Sequence, residues 1–172
     1  MKKLLVVVDF QEDFVNGSLG FDGASDLEDK IIARIERAVK QNEDIIFTKD
    51  VHDENYLATE EGKNLPIKHC LKGSKGTELF GKLKQFNNKY ITFEKGSFGS
   101  IELGNYLLNK NYDEITIIGL VSYICVLSNA VICKSAVPNA HIIVEKDLTA
   151  AQDLHAQEIG FEALRNIHVE IR

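Results

Sequence analysis

Short apolar runs recur along this chain and predict a series of strands. Six of them lie at residues 3–8, 44–48, 90–93, 115–119, 140–144 and 167–171. Most of these runs are too apolar for strands with one solvated face, and they are typical of a sheet that is covered on both sides.

Between the strands, apolar residues return at helical spacing. The first predicted helix starts at a cap, Ser25 or Asp26, and runs to about residue 41, with one apolar face formed by Leu27, Ile31, Ile35 and Val39. Further helices are expected at 78–86, 101–108, 123–137 and 151–166. Strands that alternate with helices predict an α/β fold: a three-layer α/β/α sandwich around a mostly parallel, roughly six-stranded, Rossmann-like sheet.

The segment 53–75 breaks this pattern. It is polar, contains Pro66 and two glycines, and follows neither the helical nor the strand period. We expect a long loop without regular structure, and loops of this kind inside compact domains are often functional.

Composition narrows the function classes. The 172 residues, 44% of them hydrophobic, suit one globular domain that spans residues 1–172. A net charge of −6 argues against nucleic acid or an anionic membrane as partner. The apolar run after Lys3 is too short for a signal peptide or a membrane span, so a cytoplasmic location is expected. Three cysteines without a C-x-x-C pair do not indicate a disulfide framework or a zinc ribbon.

The candidate chemistry lies where the predicted strands end. Asp9 follows the first strand, Asp50 and His52 the second, and Lys95 the third, while the fourth leads through a turn to Cys125. In parallel sheets, ligands bind beyond the carboxyl ends of the strands, so these groups are expected to meet at one edge. Cys125 falls in the first turn of a helix, where free N–H groups stabilise a thiolate or an oxyanion.

Such a set suits the hydrolysis of an amide. A lysine beside the cysteine lowers the thiol pKa, and a carboxylate moves a proton first as base and then as acid to a leaving amine. The alternative for Cys125 is a small buried apolar residue, which is the usual role of a lone cysteine. Cys70 lies in a loop and Cys133 is expected in the core. His141, His155 and His168 have no partner motif.

Five short segments carry a family resemblance. They are VDFQEDF at 8–14, TKDVH at 48–52, LPIKHC at 65–70, FEK at 93–95 and GLVSYICV at 119–126. In this order they resemble the nicotinamidase and isochorismatase-like cysteine hydrolases, which implies the isochorismatase-like hydrolase fold. The resemblance implies a catalytic triad of Asp9, Lys95 and Cys125. It also implies an oxyanion hole from the N–H groups of Val121 and Cys125, with a cis Leu120–Val121 peptide, and a substrate-ring pocket lined by Phe14.

The resemblance further implies a divalent metal in the loop of about residues 50–75, usually zinc. Asp50 and His52 match two ligands, and residues two apart in an extended chain point the same way. His69 matches the last ligand. Many relatives have a histidine at position 58, where this chain has alanine. Glu61 is therefore the expected fourth ligand, ahead of Glu60 and Tyr56, and this set would also accept iron or manganese. The alternative is two surface histidines in a polar loop.

The expected function is that of a metal-dependent cysteine amidohydrolase, most simply a nicotinamidase of NAD salvage. It would convert nicotinamide and water to nicotinic acid and ammonia through a Cys125 thioester, as a homo-oligomer. Tyr123 stands where many members have an acid, and Val121 replaces the usual alanine. Another small amide or ureido substrate, with a vestigial metal site, is therefore an alternative. Cys125 disfavours vinyl-ether hydrolysis, since isochorismatase itself lacks the cysteine. A non-catalytic flavodoxin-like domain that binds a nucleotide or a partner protein would need a G-x-G-x-x-G loop, which is absent.

Overall fold

A computed structural model describes residues 1–172. Its six strands form one sheet in the order β3-β2-β1-β4-β5-β6, and every neighbouring pair is parallel. The strands are β1 Lys3–Val8, β2 Asp44–Asp50, β3 Ile91–Lys95, β4 Glu114–Leu120, β5 His141–Ala150 and β6 Glu170–Ile171. The predicted α/β sandwich with a parallel six-stranded sheet is confirmed.

Helices cover both faces of the sheet. They are α1 Glu12–Val15, α2 Glu28–Lys40, α3 Glu60–Asn64, α4 Ile101–Leu107, α5 Leu127–Ala136 and α6 Leu154–Asn166. Alternate residues of β1 point to opposite faces. Leu5 and Val7 pack in one core with residues of α2 and of the segment 81–86, whereas Leu4 and Val6 pack in a second core with residues of α4, α5 and α6. The sequence of β1 is uninterrupted and apolar because this central strand is buried on both faces.

The structure corrects several predicted boundaries. No side chain caps α2, because Ser25 and Asp26 lie inside a 3₁₀ turn that leads into the helix. Val39 is 49% exposed and does not continue the apolar face. The helix predicted at 78–86 is a 3₁₀ helix at Gly81–Phe86. β5 continues to Ala150 instead of stopping at residue 144, through a register shift against β4.

The segment 53–75 is not structureless. It contains a 3₁₀ turn at Tyr56–Ala58 and the short helix α3. The Thr59 side chain caps α3 by accepting a hydrogen bond from the Gly62 N–H at 3.0 Å. A five-residue helix is too short to show an apolar period, so the sequence pattern did not reveal it.

No helix of the chain combines the length and the apolar character needed to cross a bilayer.

Gly119 provides a test of the packing at the centre of the sheet. It lies in β4 beside the end of β1, and its φ of +111° is one that residues with side chains rarely adopt. A Cβ at this position would collide with the Val8 carbonyl oxygen. We predict that Gly119→Ala lowers the free energy of unfolding by more than about 2 kcal/mol, as measured in urea.

Gly96→Ala is the matched control, because a Cβ there would meet only the Val51 carbonyl oxygen at 3.6 Å. Equal stability of the two variants would contradict this account of Gly119.

Candidate active site

Asp9 lies directly beyond β1 and is fully buried. Its φ of +45° turns the chain sharply at the strand end. The carboxylate accepts a hydrogen bond from the Thr48 hydroxyl at 2.7 Å, and its other oxygen lies 2.6 Å from Lys95 Nζ. Burial raises the pKa of Asp9 above its ordinary value, although the positive charge of Lys95 opposes this. A carboxyl with a raised pKa is suited to both accept and return a proton.

Lys95 is the last residue of β3, and its ammonium group lies close to three acidic groups. Its Nζ lies 2.6 Å from Asp9, 3.4 Å from Asp50 Oδ1 and 3.7 Å from Cys125 Sγ, and it donates to the Ser97 carbonyl at 2.9 Å. Burial lowers the pKa of Lys95, but Asp9, Cys125 and Asp50 together raise it above its ordinary value. The lysine therefore stays protonated at neutral pH.

Cys125 lies in a π-helical turn, Ser122–Val126, which precedes α5. The Val121 carbonyl accepts hydrogen bonds from Ile124 and Val126, so the expected first turn of a helix is present in a wider form. The Leu120–Val121 peptide is cis, as the family resemblance implied. The Val121 N–H donates to no acceptor within the protein.

The pKa of the Cys125 thiol is shifted by opposing effects. Burial raises the pKa of this thiol well above its ordinary value, and the negative charge of Asp9 raises it further. Lys95 opposes these effects only in part, because its ammonium group also serves two carboxylates. The net direction is upward, so the lowering by Lys95 that the sequence analysis expected is present but is outweighed by burial.

A second cluster lies beside these groups. Side chains of Asp50, His52, Glu61 and His69 place one donor atom each within 4.8 Å of one another. Asp50 Oδ2 lies 2.8 Å from His52 Nε2 and 3.3 Å from His69 Nε2, and Glu61 Oε1 lies 3.7 and 3.6 Å from the same two nitrogens. Two imidazoles and two carboxylates form a donor set that suits zinc, iron or manganese.

His69 is held in this cluster because the chain after it runs back alongside His52. Residues 70–72 run alongside His52: the His52 N–H donates to the Cys70 carbonyl, and the Lys72 N–H donates to the His52 carbonyl. His69 Nδ1 donates to the Ile67 carbonyl at 2.8 Å, which leaves Nε2 directed at the cluster. Metal-binding histidines commonly have such a fixed second nitrogen. The residues therefore fit a divalent metal ion.

The other candidate ligands do not enter the cluster. Glu60 is exposed and pairs with Lys63 at 3.7 Å. Tyr56 is buried, but its ring packs on His52 and His69 with centroids 4.8 and 4.9 Å apart, and its hydroxyl donates to the Leu65 carbonyl. Tyr56 thus packs against both imidazoles, and its hydroxyl is directed at Leu65.

Burial and mutual contacts shift the pKa values of three residues in the cluster. Burial raises the pKa of Asp50, but hydrogen bonds from His52 and His69 and the charge of Lys95 hold it below its ordinary value. Burial and the nearby Asp50 raise the pKa of Glu61. Burial lowers the pKa of His69, and its bonds to Asp50 and Ile67 more than reverse that effect.

Cys125 and three residues of the cluster, Asp50, Glu61 and His69, line one cavity of about 250 Å³. Its walls are mainly apolar: Phe14, Leu19, Phe21, Leu65, Phe98, Val121, Tyr123 and Ile124. Polar groups enter it from Cys125, Asp50, Glu61, His69 and Gln152. Pockets for drug-sized ligands measure roughly 300–1,000 Å³, so this one suits a smaller molecule.

Comparison with known families settles the relationship. Residues 3–172 match the family model of the isochorismatase domain. The chain belongs to the isochorismatase domain family. The isochorismatase-like resemblance indicated by the five motifs is confirmed.

Individual relatives of this isochorismatase-domain protein are similar over nearly its whole length. An uncharacterized isochorismatase family protein PncA of Bacillus subtilis (strain 168) is 29% identical, over 91% of each chain. The nicotinamidase/pyrazinamidase of Mycobacterium tuberculosis is 25% identical, over 98% of this chain and 97% of its own. Among solved structures, the pyrazinamidase of Pyrococcus horikoshii in complex with zinc has a TM-score of 0.86 at 20% identity and covers 100% of this chain and 99% of its own. That structure shows the shared fold.

Other cysteines and histidines lie apart from the reacting groups. Cys133 lies on α5 in the hydrophobic core, and burial raises the pKa of its thiol to about 12. Cys70 is fully buried behind His69. His141 pairs with Glu170 at the surface, and His155 and His168 are exposed.

The sequence analysis missed three polar residues that hold the site in place. Thr48 donates to Asp9. Asn129, fully buried, donates to the Cys125 carbonyl at 2.8 Å and accepts from the Ser100 N–H at 3.0 Å. Gln11, also fully buried, binds the backbone of Asp50. Gln11 lies inside the VDFQEDF motif, but its partners depend on how neighbouring strands end.

Asp9→Asn is predicted to make Cys125 more reactive toward iodoacetamide at pH 7. The substitution removes a negative charge that raises the thiol pKa, and asparagine tolerates a positive φ. A lower thiol pKa raises the thiolate fraction more than it lowers the nucleophilicity of the thiolate, so alkylation becomes faster. Mass spectrometry of the Cys125 peptide measures the rate.

Lys95→Met should act in the opposite direction, because it removes the charge that lowers the same pKa. An unchanged alkylation rate in Asp9→Asn would show that the charge of Asp9 does not raise the thiol pKa.

Proposed function

We propose that this chain is a metal-dependent cysteine amidohydrolase that converts nicotinamide, or a closely related small amide, to the corresponding acid and ammonia. One observation carries the proposal: Cys125 and three members of a four-residue cluster suited to a divalent metal line one small apolar cavity, and Lys95, paired with Asp9, lies 3.7 Å from the Cys125 sulfur. The relative from M. tuberculosis bears the name nicotinamidase/pyrazinamidase, which supports the choice of substrate class.

Cys125 is the proposed nucleophile and Asp9 its base. As Sγ attacks the amide carbon, the thiol proton passes to the Asp9 carboxylate and the carbonyl oxygen becomes an oxyanion. The N–H groups of Val121 and Cys125 are the proposed donors to that oxygen, and the Val121 N–H has no competing acceptor in the protein. Lys95 keeps its positive charge throughout and stabilises the carboxylate before and the thiolate after proton transfer.

Asp9 then acts as the acid. Its new proton passes to the amide nitrogen, the C–N bond breaks, and ammonia leaves a thioester on Cys125. A water molecule attacks the thioester carbon while Asp9 accepts one of its protons. The C–S bond breaks, the carboxylic acid is released, and the sulfur recovers its proton. The raised pKa of Asp9 is compatible with both roles.

Asp50, His52, Glu61 and His69 are the proposed metal ligands, with zinc as the first candidate and iron or manganese as alternatives. A bound divalent ion would supply a Lewis-acid anchor for a heteroatom of the substrate ring. Phe14 is the proposed contact for the ring face, since it lines the cavity and lies 5.7 Å from the His69 ring. The proposal includes one domain over 1–172, a metal-binding loop at about 50–75, and a cytoplasmic homo-oligomer.

Ammonia release tests the proposed substrate class. We expect zinc-loaded protein to release ammonia from nicotinamide and from pyrazinamide, and to do so more slowly from N-carbamoyl compounds. A clear preference for the N-carbamoyl compounds would favour the alternative ureido hydrolase. No release from any small amide, with zinc, iron or manganese, would reject the proposal.

Cys125→Ala is predicted to abolish turnover of the best amide, with a loss of at least about 10³-fold, because no other sulfur reaches the cavity. Cys133→Ala is the control, since this buried thiol lies in the core of α5 and outside the cavity. It should keep most of the activity. Ordinary turnover by Cys125→Ala would exclude a thioester mechanism.

Removal of one cluster imidazole is predicted to empty the metal site. After zinc loading, the unchanged protein should hold about one ion per chain, whereas His52→Ala and His69→Ala should hold far less, because three donors remain where four converged. Plasma emission analysis of protein purified without a histidine tag measures occupancy.

His141→Ala is the control for that measurement, because His141 is a surface residue paired with Glu170. Equal occupancy in all three variants would place the ion elsewhere.

A further inference from the structure

Gln11 uses both ends of its carboxamide on one residue. Its Nε2 donates to the Asp50 carbonyl at 2.8 Å, and its Oε1 accepts from the Asp50 N–H at 2.7 Å. The second proton of Nε2 goes to the Thr77 carbonyl at 3.1 Å. Gln11 is fully buried, so water does not compete for any of these bonds.

The ends of the strands explain why Asp50 needs such a partner. Successive residues of a strand direct their N–H and C=O groups to opposite sides. The Val51 N–H donates to Lys95 in β3, so the peptide groups of Asp50 face the other side, toward β1. The pairing between β1 and β2 ends at Val8 and Thr48, two residues short of Asp50. The carboxamide of Gln11 takes the place of the missing strand.

Gln11 is itself held from outside the sheet. Its backbone forms an antiparallel bridge with Leu79, and its N–H donates to the Asp9 carbonyl at 2.8 Å. The backbone of Gln11 is therefore hydrogen-bonded to the proposed base, Asp9, while its side chain binds Asp50.

Asp50 is the residue shared by the two parts of the site. One carboxylate oxygen faces Lys95 at 3.4 Å, and the other faces both imidazoles of the cluster. A shift of its backbone would move a proposed metal ligand and a partner of the catalytic lysine together.

We propose that Gln11 is a positioning residue that fixes Asp50 for metal binding. This inference rests on the metal site of the proposed function. Gln11 touches neither metal nor substrate in this role. Its contribution is to hold the Asp50 peptide so that the carboxylate meets His52, His69 and Lys95 at once.

The test measures zinc affinity by competition with a chelator, without any substrate. Gln11→Glu keeps the length and the Oε1 acceptor but directs a second oxygen at the Asp50 and Thr77 carbonyls. Gln11→Met keeps the side-chain length and removes both the hydrogen-bond donor and the acceptor. Changes in residues that orient metal ligands typically weaken binding about 10–100-fold, and we expect a loss of that size in both variants. The visible absorption of the Co²⁺ form, which reports ligand geometry, should change as well.

Tyr112→Phe is the matched control. Its hydroxyl donates to the Asp44 carboxylate at 2.8 Å, so the variant loses a side-chain bond to the same strand, β2, at the end away from the site. It should bind zinc as the unchanged protein does. Urea unfolding of the metal-free proteins records any general loss of stability.

Unchanged zinc affinity and an unchanged Co²⁺ spectrum in both Gln11 variants would overturn the inference. An equal loss in Tyr112→Phe would also overturn it, as would failure of both Gln11 variants to fold, since Gln11 would then serve the fold as a whole. If the unchanged protein binds no metal, the inference fails with the metal site. If it binds zinc tightly but releases no ammonia from any amide, the proposed function fails and the inference stands.

Discussion

The buried ammonium group of Lys95 is the interaction on which the rest of the site depends. It lies 2.6 Å from Asp9 and 3.4 Å from Asp50, two carboxylates that the fold withdraws from water. Removing one partner from a buried ion pair costs about 3–5 kcal/mol, because the remaining charge is left uncompensated. Three adjacent parallel strands, β3, β2 and β1, supply these groups at the same edge of the sheet. The parallel arrangement thus converts three distant sequence positions into one charge cluster.

Charge balance connects this cluster with the neighbouring imidazoles. Asp9, Asp50 and Glu61 carry three negative charges when ionised, against one positive charge on Lys95. The two charges in excess are negative, and a divalent cation at the four-residue cluster would balance them. Burial raises the pKa of the Cys125 thiol most, and the negative charges of Asp9 and Asp50 raise it further. This direction is compatible with the proposed role of Asp9 as the base that accepts the thiol proton.

Much of the fold and of the candidate site was predictable, because the apolar runs mark the strands and the strand ends mark the edge where side chains converge. Asp9, Asp50, Lys95 and Cys125 were found in this way, and the family resemblance added Glu61 and His69 to the cluster. The direction of the Cys125 pKa shift was not predictable, since it depends on burial and on how the charge of Lys95 is shared among three groups. α3 was missed because its five residues present no apolar face, although Thr59 at its cap was a usable local signal.

Gln11 shows why sequence motifs understate the structural demands of such a site. Strands of unequal length leave peptide groups without partners, and in this sheet the overhang of β2 beyond β1 falls on Asp50. An unpaired buried peptide group costs about 1–3 kcal/mol, so a nearby side chain must replace the missing strand. Asn129 likewise satisfies backbone groups with its carboxamide. It donates to the Cys125 carbonyl and accepts from the Ser100 N–H in the chain that follows β3. The reacting groups are therefore fixed by carboxamides that satisfy the strand and helix ends carrying them.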